Sequence, residues 1–237
     1  MRILSLDTAT EAATCAVIED DKLLGEIIFN YKKQHSVIIM PMIDIMLKNL
    51  QLDINSLDGF VVSKGPGSFT GLRIGMSTIK GLSQGTGKPF ISVSTLDALA
   101  YNMAYTDAII CPILDALRNN VYTSLYVFDK NRLKKISDHT IISIDELITL
   151  VKSYNKTICF IGDAVPKFRE TLKNSLDSLY FAPTHLNVVK ASALGELGAI
   201  LLENGESDNV FTSAPIYIRK SQAEREYELR TGKDINE

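Results

Sequence analysis

Lys64-Gly65-Pro66-Gly67-Ser68-Phe69-Thr70-Gly71 is a glycine-rich turn between an apolar strand, Leu57 to Ser63, and a helix over 71–84. Glycine tolerates positive φ and lets backbones approach closely, and the free N–H groups of a helix start favour an anion, so the loop has the means to cradle a phosphate. The same residues also make a tight structural turn, and their spacing matches neither the Walker nor the dinucleotide fingerprint. A second cluster, Asp7, Thr8 and Thr10, closes the first strand. Its carboxylate suits the water shell of a metal and its hydroxyls suit a phosphate. As a strand-to-strand turn, the same side chains satisfy local backbone donors instead. Asp7, Thr8, Thr10, Gly65, Gly67 and Ser68 are therefore a candidate phosphate-binding set with a structural alternative.

Other chemistry is sparse. No Gly-x-Ser-x-Gly elbow or His-Glu-x-x-His occurs, and Asp115, Asp163 and Glu196 are isolated carboxylates with no partner in the sequence. His35, His139 and His185 share no metal-ligand spacing. Cys15, Cys111 and Cys159 are far apart in apolar runs and read as buried small hydrophobes in a reducing compartment. The best segment for an adenosine contact in the second half, Ile161-Gly162-Asp163-Ala164, is weak. The reading assigns no catalytic residue, no metal ligand and no cofactor.

Three apolar or alternating runs, 2–7, 13–19 and 22–30, form an antiparallel meander that carries Asp7 at its first turn. Helix (36–50), strand (57–63), helix (71–84), strand (89–93) and helix (95–105) follow, an alternation that implies parallel strands covered by helices. The second half offers strands at Ala108–Leu114, Asn120–Asp129 and Arg132–Ile142, and Ser143 and Glu146 spaced as a capping box. A helix to about Tyr154, a strand at Thr157–Ile161 and helices near 165–175 and 191–204 complete it. The division expected is a first lobe over 1–104 and a second over 105–237, part of which returns to the first.

Gly65-Pro66-Gly67-Ser68-Phe69-Thr70-Gly71-Leu72-Arg73-Ile74-Gly75 with Lys80-Gly81-Leu82 closely resembles the signature of the TsaB (YeaZ-like) family. Ile3 to Thr10, His35-Ser36 with Pro41, Ser92 to Leu99 and Pro215-Ile216-Tyr217-Ile218-Arg219 resemble further segments of that family, densely over 1–100 and sparsely from 105 to 210. The resemblance implies an α/β fold of the actin-like ATPase (ASKHA) type, two lobes with mixed sheets. It also implies a non-catalytic subunit that positions a TsaD-type catalytic subunit for threonylcarbamoyl transfer to the adenosine beside the tRNA anticodon, with a TsaE-type ATPase in the complex. Under this reading the phosphate set is vestigial. In the catalytic relative, two histidines at i and i+4 hold a metal; the matching positions here are Thr95 and Leu99. That departure disfavours a metallopeptidase. The competing enzyme is an actin-like ATPase or phosphotransferase that uses Asp7, Thr8 and the Gly65–Gly71 loop.

On the first long helix, nine apolar side chains from Ile38 to Leu50 cover an arc of roughly 220°, whereas a monomer's surface helix needs a stripe somewhat over 100°. The excess predicts a second contact. Gly71, Gly75, Ser77 and Thr78 keep the next helix small enough for close approach, and in the family these two helices serve self-association and the joining of TsaD. Ile38, Ile39, Met42, Met46, Leu50, Gly71, Arg73, Gly75, Ser77 and Thr78 are the expected partner interface, with a homodimer in isolation. Met46 or Ile39 replaced by Glu is expected to give a folded monomer. The net charge of −3 gives no global basic field, so tRNA is expected to be met through the complex rather than by this chain alone. The absence of a charged-then-apolar leader and of any apolar run near 18 residues points to the cytoplasm, with no membrane contact.

Overall fold

The computed structural model describes residues 1–31, 34–219 and Arg230; residues 220–229 and 231–237 of the expected second lobe lie outside the described residues. The first two strands are buried on both faces, so the first sheet must be covered on both sides. β1 (Arg2–Asp7), β2 (Ala13–Glu19) and β3 (Lys22–Phe29) pair antiparallel, with Asp7 opposite Thr14 at the end of the register. α1 (His35–Leu50) then crosses over to β4 (Gly59–Ser63), and α2 (Phe69–Thr86) to β5 (Phe90–Val93). Both strands lie parallel to β1, in the order β3-β2-β1-β4-β5. One face buries Leu4, Leu6, Val17, Phe60 and Val62 beneath Ile39, Ile43 and Met46 of α1 and Met76 and Ile79 of α2. α1 runs through Pro41.

The opposite face carries Ile3, Val61, Ile91 and Val93. α3 (Thr95–Tyr101), a turn shorter than expected, covers part of it. The second sheet follows as β6 (Ile109–Asp115), β7 (Asn120–Thr123), β8 (Tyr126–Asp129), β9 (Arg132–Lys135) and β10 (Thr140–Ser143). α4 (Ile144–Lys152), β11 (Ile158–Ile161), α5 (Val165–Ser175) and β12 (Leu179–Phe181) complete it. The expected capping box is formed, Ser143 Oγ accepting from Glu146 N and the Glu146 carboxylate from Ser143 N.

Two expected strands are each broken in the structure. Ser124 Oγ donates to Ser137 O and Leu125 N donates to Ser137 Oγ, so the chain turns between β7 and β8. β7 pairs β6 near Ile113 and β10 on its far side, while β8 pairs β6 only at Ile110 and then β9. α6 (Ala191–Glu203) returns from the second half to the first sheet. Its glycines allow this: a Cβ on Gly198 would lie 2.4 Å from Val61 Cγ2, and one on Gly195 2.9 Å from Ser5 Oγ. Glu26 of β3 fixes the start of α6 by accepting from Ser192 N and Oγ.

The chain after α6 forms a strap. Asp208 accepts from Ser92 N at 2.8 Å, Lys80 Nζ reaches Ser213 O at 2.6 Å, and Ile216 N donates to Lys64 O at 2.7 Å. Arg219 then donates to Ala116 O of the second lobe. The segment thus runs along α2 and ties the two lobes together.

Candidate functional site

The β1–β2 turn and the glycine loop are locked to each other. Ser68 caps α2 by accepting from Gly71 N, Ser68 N donates to Ala9 O at 2.7 Å, and Thr8 Oγ1 donates to Gly71 O at 2.7 Å. The glycines supply the room for this contact. A Cβ on Gly67 would lie 2.3 Å from Ala9 O, one on Gly71 2.0 Å from Thr8 O, and one on Gly75 2.4 Å from Thr8 Oγ1. Gly65, at φ +103°, faces Ile216 of the strap. Thr10 Oγ1 accepts from Ala12 N. Ser68 N, Gly71 N and the Thr8 and Thr10 hydroxyls are thus engaged in a packed turn, which favours the structural reading of the motif.

Asp7 sits beneath this turn, wholly buried. Oδ1 accepts from Ala9 N at 3.3 Å, whereas the Thr14 hydroxyl has no hydrogen-bond partner among the described residues. Burial raises its pKa to about 7; Ser63 and Ala9 pull it down, and the Asp163 carboxylate adds to the rise.

A cleft of about 920 Å3 opens between the lobes, lined by Thr10, Glu11 and Ser68 on one side, Asp115 and Asp163 on the other, and the strap at Ile216 to Arg219. Asp163 follows β11 and accepts from Asp115 N at 2.9 Å; desolvation raises its pKa to about 6, and the Asp115 and Glu11 carboxylates push the same way. Lys167 contacts both oxygens of Asp115, at 3.0 and 3.2 Å. Gly162, the glycine of the candidate adenosine segment, has φ +127° and lies where a Cβ would meet Ile113 O at 2.2 Å. It serves strand contact.

Of the two positions that match metal ligands in the catalytic relative, Thr95 opens α3 fully buried and Leu99 belongs to the core. His139 joins a network across the lobes: its Nε2 lies 3.1 Å from Asp97 Oδ1 and 2.9 Å from the Tyr126 hydroxyl, which itself donates to Asp97 at 2.6 Å. Ser94 Oγ lies 3.5 Å from the same Nε2. A serine relay needs the serine and the acid on different ring nitrogens, so this is a structural contact. The three cysteines are buried, and desolvation raises their pKa values to about 12, 12 and 11 for Cys15, Cys111 and Cys159. Their thiols are unreactive.

The helix pair corrects the expected interface. Ile39, Met42 and Met46 are 1%, 6% and 4% exposed and belong to the core of the first lobe, because they lie at the centre of the apolar arc and the sheet takes the centre. Gly71 and Gly75 turn inward to Thr8. Ile38 and Leu50 are half-buried, and Thr78 turns its hydroxyl back to Ile74 O. What α1 leaves in water is Met40 and Ile45, about half exposed, and Val37, 64% exposed. Met40 and Ile45 mark the two ends of the arc, so the helical wheel contained that signal. On α2, Arg73, Ser77, Gly81 and Gly85 form the exposed stripe.

Two mixed α/β sheets, their covering helices and the cleft between them define an actin-like ATPase fold. YeaZ from Pseudomonas aeruginosa superposes with a TM-score of 0.74 at 20% identity, over 91% of this chain and 99% of that one. The ROK hexokinase of Thermus thermophilus gives 0.51 at 10% identity, over 86% and 100%. A family model described as "TsaD: tRNA N6-adenosine threonylcarbamoyltransferase" matches residues 22–227. The "tRNA threonylcarbamoyladenosine biosynthesis protein TsaB" of Bacillus subtilis (strain 168) is 30% identical over 228 residues, 96% of this chain and 98% of the relative. The chain belongs to the TsaB/YeaZ family.

Proposed function

We propose that this chain is a non-catalytic scaffold subunit in formation of N6-threonylcarbamoyladenosine in tRNA. It binds and positions a TsaD-type catalytic subunit, works in one cytoplasmic assembly with a TsaE-type ATPase, and pairs with itself through the same helices when alone. The observation that carries this reading is α1. It fills its lobe's core with Ile39, Met42, Ile43, Met46 and Leu47 and still leaves Val37, Met40 and Ile45 in water. Burying such side chains is worth about 25 cal/mol per Å2, which an interface of ordinary size can set against the cost of association. The small stripe of α2 lets a partner helix come close, as in a four-helix contact.

The specific observation on the side of an ATPase or phosphotransferase is the roomy cleft. Against it stand an Asp7 carboxyl buried beneath the turn and glycines whose Cα positions are closed in by the Thr8 and Ala9 backbone. Calorimetry with ATP and magnesium decides between them: the scaffold predicts no tight binding by the isolated chain, and a submicromolar dissociation constant favours the enzyme.

Ile45→Glu is the direct test of the scaffold. The variant is expected to fold, to sediment as a monomer, and to lose both co-purification with the catalytic subunit and tRNA modification in a reconstituted assay. A desolvated, unpaired carboxylate costs several kcal/mol, and each 1.4 kcal/mol is tenfold in association. Full binding by a folded Ile45→Glu protein rules out the α1 face as the contact.

A further inference from the structure

Arg73 leaves α2 on its exposed stripe, one turn before Ser77 and two before Gly81. An arginine in water normally samples many rotamers, and fixing one costs entropy. Here the side chain is already fixed. Its guanidinium carbon lies 4.1 Å from the centre of the Phe69 ring and 5.8 Å from that of Tyr217, and Nε donates to the Tyr217 hydroxyl at 3.1 Å. Phe69 and Tyr217 are themselves stacked, with centroids 4.3 Å apart and planes at 28°. Tyr217 is held in turn by the strap, through Ile216 N on Lys64 O and Lys80 Nζ on Ser213 O. No described residue accepts from the terminal nitrogens of Arg73, which are the pair that forms a fork to a planar oxyanion.

We infer that Arg73 is the charged anchor of the partner surface: its aromatic-held guanidinium takes a carboxylate side chain of the TsaD-type subunit, and Tyr217 is its positioning residue. This rests on the scaffold reading above. Arginine and tyrosine are enriched among residues that dominate interface energies, and a pre-ordered fork loses less on binding than a free one. A protein carboxylate fits better than an RNA phosphate. A phosphate-tracking surface needs several cations on one exposed face, but the exposed stripe of α2 continues from Arg73 through uncharged Ser77, Gly81 and Gly85, while Lys80 and Arg219 are part-buried against the carbonyls of Ser213 and Ala116. The motif at 215–219 thereby gains a role: it shapes the interface from behind.

The test is calorimetric titration of the full chain with a TsaD-type subunit, without tRNA, at two salt concentrations. Arg73→Ala is expected to weaken binding about 10- to 100-fold and to flatten its salt dependence, since a charge-assisted pair is lost. Arg73→Lys should recover only part, lacking the fork, and Tyr217→Phe should weaken binding by a few-fold with the fold's melting temperature unchanged, as removal of one guiding hydrogen bond predicts. If Arg73→Ala binds within about twofold of the unmodified chain while Ile45→Glu does not bind, the anchor is wrong and the scaffold reading stands. If Ile45→Glu binds normally too, the contact lies away from the α1 and α2 face and the anchor is wrong with it; if the unmodified chain itself does not bind, the scaffold reading fails. A defect that emerges only when tRNA is added assigns Arg73 to RNA and overturns the inference.

Discussion

Met46→Glu is expected to unfold the first lobe, whereas Ile45→Glu, one residue away, leaves it folded. Met46 is 4% exposed and its sulfur lies where a Cβ on Gly25 would approach to 2.8 Å, so the side chain is wedged between α1 and β3. It belongs to a core cluster built of apolar side chains, Leu4, Cys15 and Val17 among them. A carboxylate placed there must lose its hydration or take up a proton, and the cost of several kcal/mol is a large part of the 5–15 kcal/mol that holds a typical domain together. The expected result is insoluble protein or a thermal midpoint lowered by more than about 10 °C. A soluble Met46→Glu chain that melts within a few degrees of the unmodified one places Met46 outside the core, and the packing described for α1 is then incorrect. The same substitution read from sequence predicts a folded monomer; the structure corrects that expectation.

The contrast between these neighbours shows what the sequence carries and what it hides. Helical periodicity reveals that α1 has more apolar surface than one contact needs, but it gives no origin for the angle at which the sheet sits. Packing against β2 and β3 supplies that origin, and puts Ile39, Met42 and Met46 inside with Met40 and Ile45 at the rim. The parallel strands and both crossover helices were legible because short apolar runs alternate with longer stretches of period 3.6 over residues 1–100. The second half was less so. β12 has three residues, too few for any period, and the break between β7 and β8 depends on Ser137, which is distant in sequence from the turn it fixes. The return of α6 is written in Gly195 and Gly198, but only contact with Ser5 and Val61 gives those glycines their meaning.

The glycine loop teaches the same lesson about chemistry. Gly67, Gly71 and Gly75 look alike in sequence whether they admit a phosphate or a neighbouring backbone. In the structure the atoms closest to them are Ala9 O, Thr8 O and Thr8 Oγ1. Ser68, placed in the phosphate set with the helix expected from Gly71, is the N-cap of a helix that begins at Phe69. The Arg73, Phe69 and Tyr217 cluster lies beyond local reasoning, because it joins residues 144 positions apart.

Asp7→Asn is expected to stabilise the protein above neutral pH and to leave it nearly unchanged near pH 4. Asp7 has a pKa raised from 3.8 to about 7 in the folded chain, so between those values the folded state keeps a proton that the unfolded state releases. Stability from this group is complete below about pH 4 and is lost as pH rises through about 7. Asparagine has nearly the shape of the protonated acid and never ionises, so it removes that loss. The gain over the unmodified chain should grow to about 2–4 kcal/mol by pH 8, as a shift of this size implies. Urea melts at pH 4, 6 and 8 of both proteins measure it. The same variant separates the functions. A scaffold with Asp7→Asn should bind its catalytic subunit and support tRNA modification within several-fold of normal, because Asp7 lies buried beneath the turn while the proposed contact is the far side of α1 and α2. An ATPase that relies on an ionised Asp7 should be stabilised less and lose its activity. A variant that is folded, binds its partner and is dead in modification would give Asp7 a direct chemical role, and the purely structural account of this chain would be wrong.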